Sequence, residues 1–400
     1  PDWIVADSFR VFREHADELS ALTPIRGVTF LQPQGLRQLA SWLLPETLAG
    51  LSLAGLHIGD ERTRSLFASD LPEGLTRLDL ADNDIGAGGL KALAAAPQLR
   101  RLVSLSLRGN LLDPEGICVL AESPCLAQLT FLDLSRSALG WRAARALADS
   151  PARGRLAALS LEGTLVGVDG VEALVTSTNL PALTALDARC TLIEVGDMTR
   201  LAKLPGLARF TSLNLGDNPV GEAGARALAA SPYTQRLLAL SLGDTDIDDT
   251  GAHALATSPA LARLTALDLS RCQCGDLAAA AIAASPYLGH LTYLNLSNNR
   301  IRSPGAQALA SAPTLAGLTT LLLDHNPLGD EGARALTVSR HLSRLTRLGL
   351  AHCWLGDAVI SALIESPVLT NLKALDLRDN DIRGTARTAL RNRFGGVVWI

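Results

Sequence analysis

His325 and His352 stand 27 residues apart, Asp379 follows at the same interval, and Asn298 precedes at the same interval. Asp324 is the neighbour of His325. Two imidazoles and a carboxylate brought together could bind a divalent metal. The interval, however, belongs to a repeat that runs through the chain and is not a metal-ligand motif. Two solvated histidines at an interface is the preferred reading, and no metal or other cofactor is assigned. Cys272 and Cys274 are a second set of candidate ligands. They fall at positions that the repeat turns inward, so packed thiols are preferred to a metal pair. No nucleophile accompanies a base elsewhere, and Gly-rich stretches such as Gly86-Ala-Gly-Gly89 are turns of the repeat, not phosphate cradles. The expectation is a non-enzymatic protein with no small-molecule substrate.

The repeat positions everything else. Thirteen copies of Leu-x-x-Leu-x-Leu-x-x-Asn/Cys/Thr-x-Leu/Ile start at Leu48 and recur every 27 residues to Leu372, with Phe210 in place of one leading Leu. A fixed period of this length means a solenoid, and a solenoid offers a long curved surface with no closed catalytic cavity by default. In Leu75-Thr-Arg-Leu78-Asp-Leu80, Leu78 and Leu80 are two apart and share one face of a short strand. Asn83, Asn110, Asn218, Asn299, Asn326 and Asn380 recur where the chain leaves that strand, placed to bond backbone groups of neighbouring turns. Thr164, Thr191, Thr245, Ser137, Cys272 or Cys353 replace it elsewhere. The second half of each copy reads as an Ala-rich helix with Leu or Ile at a fixed column from Leu66 to Leu390, stopped by Pro at Pro97, Pro124, Pro232 and others.

Residues 27 apart lie on adjacent rungs, about 5 Å apart, so each alignment column is a physical stripe. The middle column of the exposed strand face is mostly small and polar, from Ser52 and Asp79 to Asp376, and reads as a solubilising surface. Larger side chains stand above it: Phe131 and Tyr293 two residues earlier, Arg108, Arg189 and Arg378 two residues later, and Arg136 beside them. Aromatic residues and Arg are the usual anchors of protein interfaces. His325, His352 and Trp354 join this set. Glu162 and Asp324 add acidic points, and the slight acidic excess of the face suggests a mildly basic partner. On the loop between strand and helix, Asp249, Asp276, Asp330 and Asp357 are explained by helix capping. The same column carries Trp141, Val168 and Val195, with Leu111, Leu165 and Leu192 close by. Two readings stay open there: extra core tucked under the loop, or a partner-docking edge.

The pattern resembles the leucine-rich repeat. Gly89, Gly116, Gly170, Gly224, Gly251, Gly305 and Gly332, four residues before the helix Leu, make it similar to the ribonuclease-inhibitor-like subfamily. Arg62, Ala143, Asp197, Ala278, Val359 and Ala386 depart from it, and local loop changes are expected there. The resemblance spans about residues 25 to 400 and implies an α/β horseshoe solenoid, a parallel inner β-sheet with outer helices. It also implies a protein-binding scaffold that uses the concave face and the strand-to-helix edge. Related repeats activate small GTPases, and others serve as recognition modules of signalling or ligase proteins, so those alternatives stay open.

Residues 1–47 are expected to form an N-terminal cap, with an amphipathic helix over Asp7 to Leu22 (Phe9, Phe12, Leu19 and Leu22 apolar) and an irregular first repeat from Ile25-x-x-Val28-x-Phe30 to Trp42. Residues 48–393 hold the thirteen repeats, and 394–400 a closing strand through Phe394, Val397 and Trp399. A net charge of −4 over 400 residues gives no sign of a nucleic-acid binder. No apolar run reaches transmembrane length and no signal peptide is visible, although the chain does not start with Met. Six cysteines without framework spacing favour a reducing, cytoplasmic compartment.

Overall fold

A computed structural model of the 400-residue chain describes residues 3–8, 26–32, 48–69 and 71–400. The chain divides into two compact units, Pro1–Leu192 and Ile193–Ile400. In the first unit, eight strands from Trp3–Ser8 to Ala185–Asp187 pair in chain order, every pair parallel. In the second, eight strands from Ser212–Asn214 to Val398–Trp399 do the same. Gly50 pairs with Arg77 and Ala239 with Ala266, so the sequence period of 27 is also the sheet register. Each repeat strand is short because only its central residues lie flat; the middle Leu (Leu78, Leu105, Leu240, Leu294) is buried and the residues flanking it face away from the core. Helices from Gly59–Phe67 to Gly384–Phe394 alternate with the strands, and each packs its Leu column into the core.

The Asn column is the bond that holds rung to rung. Asn299 is buried; its Oδ1 accepts from the Cys272 and Cys274 N–H groups at 3.0 Å each, and its Nδ2 donates to the carbonyls of Leu269 (2.8 Å) and Leu296 (2.9 Å). Asn83, Asn110, Asn326 and Asn380 repeat the pattern. Where Cys272 and Cys353 substitute, the thiol donates to the carbonyl that Asn would serve, Leu242 at 2.9 Å and Leu323 at 3.1 Å. Burial pushes these thiols up, Cys272 to about 11 and Cys353 to about 12, so they stay protonated donors. A serine column escapes notice in the sequence. Ser150 and Ser366, each just before a Pro, donate to Ala121 and Thr337 at 2.6 Å and so satisfy a carbonyl at the end of the preceding helix.

Two backbone rules explain much of the remaining composition. The residue that precedes the Asn column has a positive φ in all thirteen repeats, between 52° and 70°. It is Gly at Gly55, Gly109 and Gly163, and mostly Asp, Asn or His elsewhere, the types that tolerate this conformation. Arg136, Cys190 and Arg271 are the exceptions. In most repeats the loop before the helix takes one of two forms; Asp113, which caps its own helix, Glu194 and the left-handed Asp248 stand outside them. Where the preceding repeat supplies an Asp, that carboxylate caps the next helix: Asp60 accepts from Gly86, Gly88 and Gly89 N–H, Asp249 from Gly275 and Ala278, Asp276 from Arg302 and Gly305, Asp330 from Gly356, and Asp357 from Arg383. The capped loop is extended, with φ near −110° at Gly86, Gly275 and Arg302. Where Pro114, Trp141, Val195 or Ser303 replaces the Asp, a left-handed glycine takes over in the next repeat, at Gly140, Gly167, Gly221 and Gly329. Capping was the expected role of the acidic stripe, but each carboxylate serves the helix of the following repeat, one rung away.

Several expectations about the ends change. Asp7 and Ser8 close a strand, not a helix; Trp3–Ser8 pairs in parallel with Gly27–Gln32. The β-branched and aromatic start Trp3-Ile4-Val5 favours that extended state. Phe9, Phe12, Leu19, Leu22 and Trp42 lie outside the described residues. At the other end Phe394 finishes a helix and the last strand is Val398–Trp399, paired with Leu375–Asp376. Arg153 is the odd core residue. It stands in a column that is mostly Leu (Leu126, Leu180, Leu261) with Thr234 the other polar member, is 1 % exposed, and donates to the carbonyls of Leu120, Ser123 and Leu126. Its burial lowers its pKa to about 10.

Candidate protein interface

The sheet face is built by columns, and its floor is less passive than its composition suggests. Asp79, Asp133, Asp187, Asn214, Asp268, Asn295 and Asp376 each accept from the backbone N–H two residues on, at 2.9–3.1 Å. These side chains close the turn at the strand end. The column read as a solubilising surface is therefore also structural.

In the first unit, Arg108 donates to both oxygens of Glu162, at 2.8 and 3.4 Å, across an intervening rung. That hydrogen bond holds the Glu162 carboxyl below the usual carboxylate range, against the burial that raises it; Arg136 and Arg189 add to the lowering. Asp82 and Asp133 in turn lie within the field of Arg108. Arg136 is more open than Glu162, with its Nε 3.9 Å from that carboxylate. Phe131 is 38 % exposed on the same face, in register between Ser104 and Ala158. Beside this face the edge is apolar. Leu111, Trp141, Leu165 and Leu192 are 52–68 % exposed, so the alternative in which they tuck under the loop does not hold. Val168 is half-buried, and Arg142 lies over the Trp141 ring at 5.7 Å. Leu192 adopts φ 65°, a costly conformation for a Leu with no glycine-like freedom.

In the second unit, Tyr293 is half-buried, and His325, His352, Trp354 and Arg378 are exposed. His325 and His352 stack ring on ring, centroids 4.8 Å apart and planes inclined 25°. Imidazole lone pairs lie in the ring plane, so stacked rings do not aim their nitrogens at a common point. Among the described residues no group of three or more His, Cys, Asp or Glu side chains is arranged to hold a metal ion. Both histidines, and Asp379, sit in the left-handed column, which gives a backbone reason for their residue types. Below them Asp246, Gln273 and Arg300 form a ladder of hydrogen bonds, 2.6 and 2.8 Å, while Arg271 pairs with Asp244 at 2.9 Å. Arg378 chelates Asp376 and lies 5.8 Å over Trp399.

The twelve side chains expected at an interface thus fall in two sets. Arg108, Phe131, Arg136, Trp141, Val168, Arg189 and Leu192 belong to the first unit; Tyr293, His325, His352, Trp354 and Arg378 belong to the second. Leu111 and Leu165 complete the first set. Their exposure was undecided in the sequence because a Leu in a repeat column is the signature of core and of edge alike.

Comparison with known proteins supports the repeat reading. The family described as Leucine Rich repeat matches residues 75–94, 210–229, 235–256, 289–310, 318–336 and 368–390. No curated protein matches the chain. Among solved structures, the complex of Rad7 and Elc1 in yeast is similar over 94% of this chain and 91% of that one, at 20% identity and a TM-score of 0.56. The TLR13–ssRNA13 complex is similar over 90% of this chain and 56% of that one, at 22% identity and a TM-score of 0.50. A leucine-rich repeat protein of Leptospira interrogans is covered in full by 99% of this chain, at 18% identity and a TM-score of 0.48. Among the described residues no helix is long and apolar enough to cross a membrane. Six segments of this chain are thus similar to leucine-rich repeats, and the fold, parallel strands alternating with helices, is that of a leucine-rich repeat solenoid.

Proposed function

We propose that the protein is a non-enzymatic scaffold, of the ribonuclease-inhibitor-like kind, that binds a protein partner through the sheet face and the strand-to-helix edge. The observation that carries the reading is the exposed row Leu111, Trp141, Leu165 and Leu192. Apolar side chains held in solvent on successive rungs, beside arginines and an open Phe131, are what a partner-binding edge requires. Trp141 also stands where other repeats spend an Asp on capping, so it has no capping duty. A cytoplasmic setting belongs to the same proposal and is supported by six free thiols. Affinity capture from the native host, read by mass spectrometry, followed by titration of the captured partner, tests it. Phe131→Ala or Trp141→Ala is expected to cost about 2 kcal/mol of binding at a true anchor. A partner that binds both variants as it binds the wild type would place the contact elsewhere. Acceleration of GTP hydrolysis by a captured GTPase would replace the scaffold reading by a regulatory one.

A further inference from the structure

The positions that follow the strand on each rung form a rim beside the sheet face. In residues 193–400 this rim carries six carboxylates, Asp217, Asp244, Asp246, Asp324, Asp379 and Asp381, against three arginines, Arg271, Arg300 and Arg378. In residues 48–192 the corresponding positions hold three of each. The negative excess is thus local to the second unit. Part of it is crowded: burial, and then a hydrogen bond with Asp217, push the Asp244 carboxyl up.

Trp354 stands in this rim, 72 % exposed and at φ 61°. The left-handed backbone belongs to the column, since Asp84, Leu192, Asp246 and Gln273 share it, so the exposed indole is what sets this rung apart. The next rung of the same rim carries Asp379 and Asp381, both exposed; Arg383 donates to both oxygens of Asp381 at 2.6 Å, so Asp379 is the open carboxylate of the two. An aromatic face beside carboxylates is a site for a cation. The chain fills one such site itself. Arg378 bonds Asp376 at 2.6 and 2.9 Å while lying 5.8 Å over the Trp399 ring. Over the Trp354 ring, among the described residues, no guanidinium is placed.

We infer that the rim from Asp217 to Asp381 is the docking surface for a basic segment of a protein partner, with one Lys or Arg side chain seated over Trp354 beside Asp379. This deepens the scaffold reading and rests on it. Charge complementarity selects the occupant: an acidic segment or a nucleic-acid backbone would meet the carboxylate excess with like charge. The stacked His325 and His352 rings belong to the same rim, His352 on the rung of Trp354.

Selection of random 16-residue displayed peptides on the full chain, then titration of the enriched peptides, tests the inference. Lys- and Arg-rich peptides are expected to dominate, to weaken as salt rises, and to bind Trp354→Ala at least about tenfold more weakly. Asp379→Asn, which leaves the indole in place, should weaken them by a smaller factor. Both side chains are exposed, so unchanged thermal unfolding of the variants is the check that the fold is intact. Enriched peptides without a basic excess, basic peptides that bind both variants as they bind the wild type, or no enrichment at all would overturn it. The scaffold reading is judged separately: a natural partner captured from the host that ignores Trp354→Ala but responds to Trp141→Ala leaves that reading standing without this one.

Discussion

Arg108 and Glu162 are 54 residues apart in sequence and are joined by two hydrogen bonds on the sheet face. The pair skips the rung that carries Ser135, so one guanidinium links the first and third of three consecutive rungs above the floor. Because Arg108 holds the Glu162 carboxyl low, the bond contributes stability above the ordinary carboxylate pKa of about 4.3 and loses it as pH falls through the lower folded value. Wild type should therefore exceed Glu162→Gln by about 1 kcal/mol at neutral pH, with the gap closing below about pH 4. Chemical denaturation across pH 3 to 8 measures this. A gap that widens on acidification would show that the pair is not what holds Glu162 ionised.

The Asn column makes a sharp stability contrast. Asn299→Leu leaves the Cys272 and Cys274 N–H groups and the Leu269 carbonyl without the partner Asn299 gave them, while Leu296 keeps Asn326, and should cost more than about 3 kcal/mol. Asn214→Ala removes one turn-closing bond to Gly216 N–H and should cost about 1 kcal/mol or less. Equal losses in urea unfolding would refute the assignment of inward and outward columns.

The two loop forms should be interconvertible. Asp276→Ala removes the cap from Arg302 and Gly305 N–H and is expected to cost about 1 kcal/mol. Adding Arg302→Gly provides the left-handed glycine that uncapped repeats use, and should restore part of the loss. If Arg302→Gly harms the capped and uncapped backgrounds equally, the alternation of Asp and Gly is coincidental.

Backbone carbonyls hold Arg153, and among the described residues no carboxylate pairs with it. Arg153→Leu returns the column to its usual residue and removes a desolvated charge, so stability should rise by about 1 kcal/mol. A loss of that size would mean that the carbonyls of Leu120, Ser123 and Leu126 depend on the guanidinium.

The fold was legible because the 27-residue period is itself the strand register, and one fact specifies both. Residue types dictated by backbone conformation were harder to read. His325 and His352 looked like chemistry because they share a column, yet the shared cause is a left-handed φ that favours such residues. The Asp column on the sheet floor looked like solubility because its carboxylates bond backbone two residues on, which composition does not reveal. Asp276 was credited with capping its own helix because sequence proximity hides that the nearest orphaned N–H groups lie one rung away. Trp141 and Leu165 could be placed on the loop, but whether an apolar side chain turns in or out depends on that loop's form, and this depends on a residue of the preceding repeat.

The central claim is that binding uses the sheet face and its edge, not the helices behind. Hydrogen exchange on the full chain, free and saturated with a captured partner, reads this directly. The account expects new protection in the segments Leu107–Leu112, Phe131–Trp141, Leu161–Val168 or Arg189–Leu192, or in the rim from Asp217 to Asp381, with the helices Gly221–Ala230 and Gly329–Thr337 unchanged. Protection confined to those helices would contradict it.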